Sequence, residues 1–149
     1  MRIGIRLMSL ILAAVAGVAM AVQGSMNSGL GKIIGLLEST FIVHATGMAA
    51  TFILIFVLGI NQGDFGKIGE APWYYYLGGL IGVLITYEVV ASIPKLGVST
   101  ATTAIIVGQV LAAFIIDCFG LFGLERVPFV WYKLLGLGLL AVGAKVLLN

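Results

Sequence analysis

The chain has 149 residues, of which 61% are hydrophobic and only 9% carry a charge. Soluble domains are about 45–50% apolar and about 25% charged, so this composition excludes a soluble enzyme and a disordered chain. The single cysteine and the net charge of +2 exclude a disulfide-stabilised domain and argue against nucleic-acid binding. The composition instead indicates a membrane protein whose helices occupy nearly the whole chain.

Five apolar stretches are long enough, or nearly so, to cross a bilayer as helices. In chain order they are Leu7–Gln23, Ser39–Ile60, Trp73–Ile93, Val98–Cys118 and Pro128–Leu148. Pro94 is expected to end the third stretch because proline cannot continue a hydrogen-bonded helix, whereas Pro128 suits the first turn of the fifth. The links, among them Asn27–Glu38 and Asn61–Pro72, are too short for a soluble domain. We therefore predict an all-α integral membrane protein with one five-helix domain over residues 1–149.

The first stretch also has features of a secretory signal. Arg2 and Arg6 precede its apolar run, and Ala19–Ala21 matches a small-residue cleavage site. Four further spans follow, which favours a retained helix, and we count it as the first span.

Five spans place the two ends of the chain on opposite sides of the membrane. Many transporters need two halves of inverted topology around a central site, and we find no internal repeat in the sequence. The basic residues divide five to three between the two sides, a weak bias that favours a cytoplasmic N-terminus and permits insertion in both orientations. We therefore predict an antiparallel, dual-topology homodimer, or a dimer with a related subunit. The five are Arg2, Arg6, Lys67, Arg126 and Lys133, and the three are Lys32, Lys95 and Lys145.

Polar side chains inside the spans are the candidates for a substrate or ion pathway, because each is costly in a bilayer. Gln23 and Asn27 share one face at the end of the first span, where they either line a path or meet lipid headgroups. Glu88 is the strongest candidate for a carboxylate that couples protons or binds a cation. The alternative for Glu88 is an interfacial ion pair with Lys95.

Three further polar residues complete the predicted pathway. Gln109 lies near the middle of the fourth span, where it can bind a polar solute or bridge helices. Asp117 closes the same helix and either joins the pathway or anchors the following turn. His44, in the second span, either contacts the solute or bonds to a neighbouring helix.

The 21 glycines indicate close packing between helices, which is how helices associate in lipid. The candidates for contacts within the chain or between two chains are Gly78, Gly82, Gly108, Gly136, Gly138 and Gly143. The fifth span is the most uniformly apolar and is the best candidate for a dimer contact.

Motifs for catalysis and cofactor binding are absent from the sequence. It has no Walker motif, no metal-ligand spacing, no nucleophile with a base and no dinucleotide fingerprint. We therefore expect no enzymatic activity, no cofactor and no bound metal. Two kinds of function stay open for this sequence: transport driven by an ion gradient, and a passive pore.

The stretch from Trp73 to Gly123 resembles the YdcZ-type family, domain-of-unknown-function family 606 of the drug/metabolite transporter superfamily. It carries WYYYLGGLIG, IPKLGVSTATTAIIVGQ and IIDCFGLFG, and the likeness extends back to Gln23 and forward through the last span. Its most specific elements are the pair Gly108–Gln109, then Asp117, and Pro94 with Gly97.

This resemblance implies a multi-pass protein of the bacterial inner membrane, related to the four-helix small multidrug resistance exporters. Those exporters are antiparallel dimers that exchange protons for cations through a glutamate in their first helix. The first span here has no glutamate, so that mechanism does not carry over directly, and Glu88 is the substitute we name. We expect a transporter that moves a small polar or cationic solute against a proton gradient. The alternatives are a passive dual-topology channel and a membrane subunit without transport activity.

Overall fold

The structure, a computed structural model, describes residues 2–60 and 63–148, and every element in those ranges is helical. Short π- and 3₁₀-helical turns, Ile53–Val57, Phe65–Glu70, Trp73–Tyr76 and Leu121–Gly123, extend or connect the main helices. The α-helices are α1 (Arg2–Ile34), α2 (Leu36–Phe52), α3 (Leu77–Leu96), α4 (Val98–Phe119) and α5 (Tyr132–Leu148).

Four of these helical segments are long and apolar enough to cross a membrane. They are Gly4–Ile34, Leu36–Val57, Trp73–Leu96 and Val98–Phe119. The fifth helix, α5, has 17 residues and spans about 26 Å at 1.5 Å per residue, slightly less than a bilayer core of about 30 Å. The predicted all-α membrane fold is confirmed, whereas the dimer stays a prediction.

The first link differs most from its prediction. The segment Asn27–Glu38 was expected to be a link, but α1 continues through Asn27 to Ile34 and α2 begins at Leu36. The only residue between the helices is Gly35, with φ 106° and ψ 158°, a conformation that essentially only glycine adopts. The predicted link begins too early because the apolar run ends at Gln23, whereas the polar residues Asn27 and Ser28 beyond it are buried on a packed face of α1.

Both proline predictions are also wrong in detail. The third helix runs through Pro94 to Leu96, because proline so near a C-terminus removes only one hydrogen bond and its φ is compatible with a helix. The chain leaves the helix at Gly97, where φ is +83°. The fifth helix begins at Tyr132, four residues after Pro128, because the segment before it is used to cap the end of α4.

The link Asn61–Pro72 begins with two residues outside the described residues. Its described part contains the 3₁₀-helix Phe65–Glu70, which the Asp64 side chain caps by accepting a hydrogen bond of 2.8 Å from the Gly66 N–H.

Contacts divide the chain into two units, Met1–Lys95 and Leu96–Asn149. The first unit contains α1, α2 and α3, and its buried apolar residues are Val90 and Ile93 of α3. The second contains α4 and α5, with Ala101 and Ala144 buried. The single five-helix domain therefore stays a prediction.

The second unit is held together at the end of α4. The Val127 N–H donates a 2.9 Å hydrogen bond to the Asp117 carbonyl, and Nε of Arg126 donates one of the same length to the Cys118 carbonyl. The Phe129 ring packs edge-on against Phe114, with ring centroids 5.9 Å apart. The two hydrogen bonds satisfy carbonyl groups that the end of a helix leaves without intrahelical partners.

Candidate functional site

Four buried polar residues form a seam between α1 and α2, which we call the polar seam: Asn27, Ser28, Ser39 and Thr40. Ser39 is fully buried and its hydroxyl donates a 3.0 Å hydrogen bond to the Asn27 carbonyl. Large apolar side chains such as Val18 and Phe41 are mostly exposed. Polar groups inside and apolar groups outside are the distribution expected of a protein whose solvent is lipid.

His44 extends the polar seam toward α3. Its Nδ1 lies 2.9 Å from the Thr40 carbonyl, and because a carbonyl only accepts, Nδ1 carries the proton. Its Nε2 lies 3.6 Å from the point where a Cβ on Gly82 would stand. In the neutral ring Nε2 is therefore an acceptor directed at α3. Of the predicted pathway residues, the structure brings Asn27 and His44 into one connected region.

Gln23 and Glu88 are exposed, although both belong to the first unit. The packed face of α3 contains Gly82, Val90 and Ile93, and Glu88 lies about 140° around the helix from the middle of that face. Gln23 lies about 90° from the packed face of α1, on its flank. Neither residue joins the polar seam.

Gln109 and Asp117 belong to the second unit and do not share a surface. Asp117 lines a groove of about 450 Å³ between α4 and α5, whereas Gln109 is exposed about 80° around α4 from it. The turn after α4 is anchored by the backbone carbonyl of Asp117, which accepts from Val127. The carboxylate is therefore not required for that anchor. The other lining residues of the groove are Val110, Ala113, Phe114, Tyr132, Lys133, Gly136 and Leu137.

A second groove, of about 420 Å³, lies in the first unit and is almost wholly apolar. It is lined by Leu37, Leu80, Ile81, Val83, Leu84 and Tyr87. None of these lining residues carries a charge.

The glycines that make close helix contacts are mostly not those predicted. A Cβ placed on Gly31 would lie 2.5 Å from Cγ1 of Val90, and one on Gly24 would lie 3.0 Å from Cγ1 of Val89. Among the six predicted glycines, Gly82 alone has a neighbour within 4 Å in the described chain. Contact with a second chain stays a prediction for the other five, Gly78, Gly108, Gly136, Gly138 and Gly143.

The sequence contains a pattern that indicates the polar seam. Gly24, Asn27, Ser28 and Gly31 follow the spacing i, i+3, i+4 and i+7, which places them on one helix face. Ser39 and Thr40 offered no such signal, because their burial depends on the corner at Gly35. Lys133 was likewise missed as a neighbour of Asp117.

No three His, Cys, Asp or Glu side chains of the described residues lie close enough together to hold a metal ion. Long apolar helices with polar groups turned toward one another define a polytopic helical membrane protein. The family model described as "Putative inner membrane exporter, YdcZ" matches residues 8–146. The chain therefore belongs to the YdcZ family and is a multi-pass protein of the inner membrane, as its motifs suggested. No curated protein and no solved structure matches the chain.

Proposed function

We propose that this protein exports a small polar or cationic solute in exchange for protons, as an antiparallel dimer in which Glu88 and Gln109 line the solute path. The observation that carries the proposal is the exposure of Glu88 on the face of α3 that points away from α1 and α2. Membership of an exporter family supplies the direction and the kind of activity.

The depth of Glu88 makes its exposure informative. It lies eight residues before the end of α3, about 12 Å along the helix axis, which is well inside a hydrocarbon core of about 30 Å. A charged side chain at such depth costs about 2.5–3.5 kcal/mol on insertion scales. Contact with lipid is therefore unfavourable, and a polar path or a second protein surface is the better surrounding for this carboxylate.

Gln109 supports the same interpretation from the second unit. It lies eleven residues after the start of α4 and ten before its end, so it is at the centre of the span. Gln109 is exposed. Its amide can both donate and accept hydrogen bonds, and lipid chains offer it no partner. Two exposed polar groups deep in two different spans favour assembly with a second copy, which would cover them.

The coupling follows from the chemistry of one carboxylate. An ionised Glu88 attracts a cation, whereas a protonated Glu88 does not, so a proton and a cationic solute exclude each other at this group. If the site faces one side of the membrane at a time, this competition exchanges protons for solute. The related alternative, a passive channel, needs no such exclusion.

The test is transport by reconstituted protein under an imposed proton gradient, with guanidinium and ethidium as probe cations. We expect Glu88→Gln to abolish uphill transport, and Glu70→Gln, a carboxylate in the 3₁₀-helix before α3, to leave it unchanged. Unchanged coupling in Glu88→Gln would overturn the role of this residue. Flux that follows only the probe's own gradient, faster than a carrier cycle, would instead indicate the channel.

The antiparallel arrangement has its own test. A cysteine at Gly69, in the exposed link before α3, is placed in a Cys118→Ser background and labelled with an impermeant maleimide from each side of the membrane. Dual topology predicts labelling from both sides. Labelling from one side only would refute the antiparallel dimer while leaving the role of Glu88 open to the transport assay.

A further inference from the structure

The groove between α4 and α5 contains two opposite charges. Asp117 stands in the last turn of α4 and Lys133 in the first turn of α5, and both line the same groove of about 450 Å³. Both are half-buried. Because partial burial removes water from a charge, each of them gains from a partner of opposite sign.

The two charges do not form an ion pair with each other in the described chain. Within the described part of the chain, neither Asp117 nor Lys133 has an ion-pair partner within 4.0 Å. The groove therefore presents one negative and one positive group separately. A simple cation would be attracted by Asp117 and repelled by Lys133, and a simple anion the reverse. A ligand that carries both charges satisfies both groups.

The position of the charges along the helices indicates the depth of the site. Asp117 lies two residues before the end of α4 and Lys133 is the second residue of α5. Both are thus about 3 Å or less from a helix end, which is where a membrane-spanning helix reaches the headgroup region. Trp131 and Tyr132 beside them are exposed, as aromatic residues at a membrane interface are.

The composition of the groove changes with depth. Val110 and Leu137 lie about two turns and one turn farther from the charged ends of their helices, and Phe114 lies between. The groove therefore leads from a charged mouth to an apolar interior. A charged mouth above an apolar interior matches the shape of a lipid, whose headgroup is charged and whose chains are apolar.

The mouth of the groove is also held in place by backbone contacts. The Asp117 carbonyl accepts from the Val127 N–H at 2.9 Å, and Phe129 packs on Phe114. The backbone at Asp117 and the segment that leads into α5 are thus held at the mouth of the groove.

We infer that this groove binds a lipid whose headgroup is an ammonium–phosphate zwitterion, the phosphatidylethanolamine class, with the ammonium on Asp117 and the phosphate on Lys133. The groove residues do not include Glu88 or Gln109, the residues proposed for the solute path. A hydrogen-bonding ammonium distinguishes this headgroup from choline, whose quaternary nitrogen cannot donate. The presence of a positive group distinguishes it from phosphatidylglycerol, which Asp117 repels.

Native mass spectrometry of the delipidated full-length protein in detergent tests the inference. Phosphatidylethanolamine, phosphatidylcholine and phosphatidylglycerol with the same acyl chains are titrated at matched concentrations. We expect the ethanolamine lipid to bind about tenfold more tightly than the other two, which is the scale of one charge-assisted hydrogen bond. Equal binding of all three lipids would overturn the inference.

Matched substitutions separate the two charges. Asp117→Asn is expected to remove the preference for phosphatidylethanolamine over phosphatidylglycerol. The substitution removes both the attraction of Asp117 for the ammonium group and its repulsion of the anionic phosphatidylglycerol. Lys133→Gln is expected to weaken the binding of all three lipids about tenfold, because each of them has a phosphate group. The controls Glu125→Gln and Lys145→Gln change charges that do not line the groove. An unchanged preference in Asp117→Asn together with unchanged affinities in Lys133→Gln would refute the assignment, whatever the effect on transport.

One competition experiment identifies the source of the zwitterion. Millimolar phosphoethanolamine, which has the headgroup without chains, is added to the complex with the ethanolamine lipid. Retention of the lipid supports a lipid ligand that uses the apolar interior of the groove. Displacement would overturn the lipid assignment in favour of a soluble ammonium–phosphate ligand on the same two residues.

Discussion

Replacement of Gly31 by alanine should destabilise the packing of α1 against α3. The added methyl group would lie 2.5 Å from Cγ1 of Val90, a residue with 0% exposure. Carbon atoms prefer separations of about 3.5–4.0 Å, so the methyl group is about 1 Å too close. Overpacking of this kind costs about 1–3 kcal/mol.

The appropriate reference is another Gly→Ala substitution in the same helix. Gly29 lies two residues away and has open space at its Cβ position. Both substitutions gain the same helix propensity, about 1 kcal/mol, so this contribution cancels in the comparison. We therefore expect the unfolding free energy of Gly31→Ala to lie about 1–3 kcal/mol below that of Gly29→Ala.

The substitution Val90→Ala provides the second part of the test. Alone it should destabilise the protein, because it removes two buried methyl groups; combined with Gly31→Ala it should recover stability, because it removes the colliding atom. Equilibrium unfolding in mixed micelles with increasing dodecyl sulfate measures all four proteins in one thermodynamic cycle. A steric collision between these residues is refuted if Gly29→Ala is as destabilising as Gly31→Ala, or if the effects of Gly31→Ala and Val90→Ala simply add.

Three further predictions concern the same unit. Gly35→Ala should lower the unfolding free energy by about 1–3 kcal/mol, because φ at Gly35 is 106° and the new methyl group would collide with the Glu38 carboxylate. The same unfolding titration measures this loss, with Gly47→Ala as the control. Ser39→Ala should lower the unfolding free energy by about 0.5–1.5 kcal/mol, because it removes the hydrogen bond to the Asn27 carbonyl. Ser9→Ala, at an exposed position on α1, should lower it less. Equal losses of unfolding free energy would contradict the importance of the polar seam. A cysteine at Glu88 in a Cys118→Ser background should react with a water-soluble maleimide faster than one at Val18 if Glu88 lines the proposed polar path and Val18 faces lipid; equal rates would count against that path.

The sequence predicted the number and type of helices well because hydrophobic length is a property of single segments. Val98–Cys118 was predicted within one residue of α4. The continuation of α1 to Ile34 could not be obtained in this way, because polar residues at Asn27 and Ser28 have the same appearance in a loop and in a packed helix face. Spacing within the helix distinguishes these two cases, and composition does not.

The candidate site was harder to predict than the fold because a site depends on which helix faces meet. Asn27 and His44 lie in one region only because Gly35 brings α2 against α1. The separation of Glu88 from that region follows from the packing of Val90 toward α1. Neither the meeting of Asn27 with His44 nor the separation of Glu88 can be predicted from how far a residue lies from the end of its span.

The corner at Gly35 has a mechanical consequence. Its N–H bonds to the Gly31 carbonyl at 3.0 Å, and its own carbonyl accepts from the Ser39 N–H at 3.0 Å, so a single residue belongs to the hydrogen-bond ladders of both helices. A hinge requires backbone torsions that can change freely, and these two cannot change without breaking one of the ladders. Helices α1 and α2 should therefore move as one rigid lever and carry the polar seam with them, so the corner at Gly35 is not expected to act as a hinge.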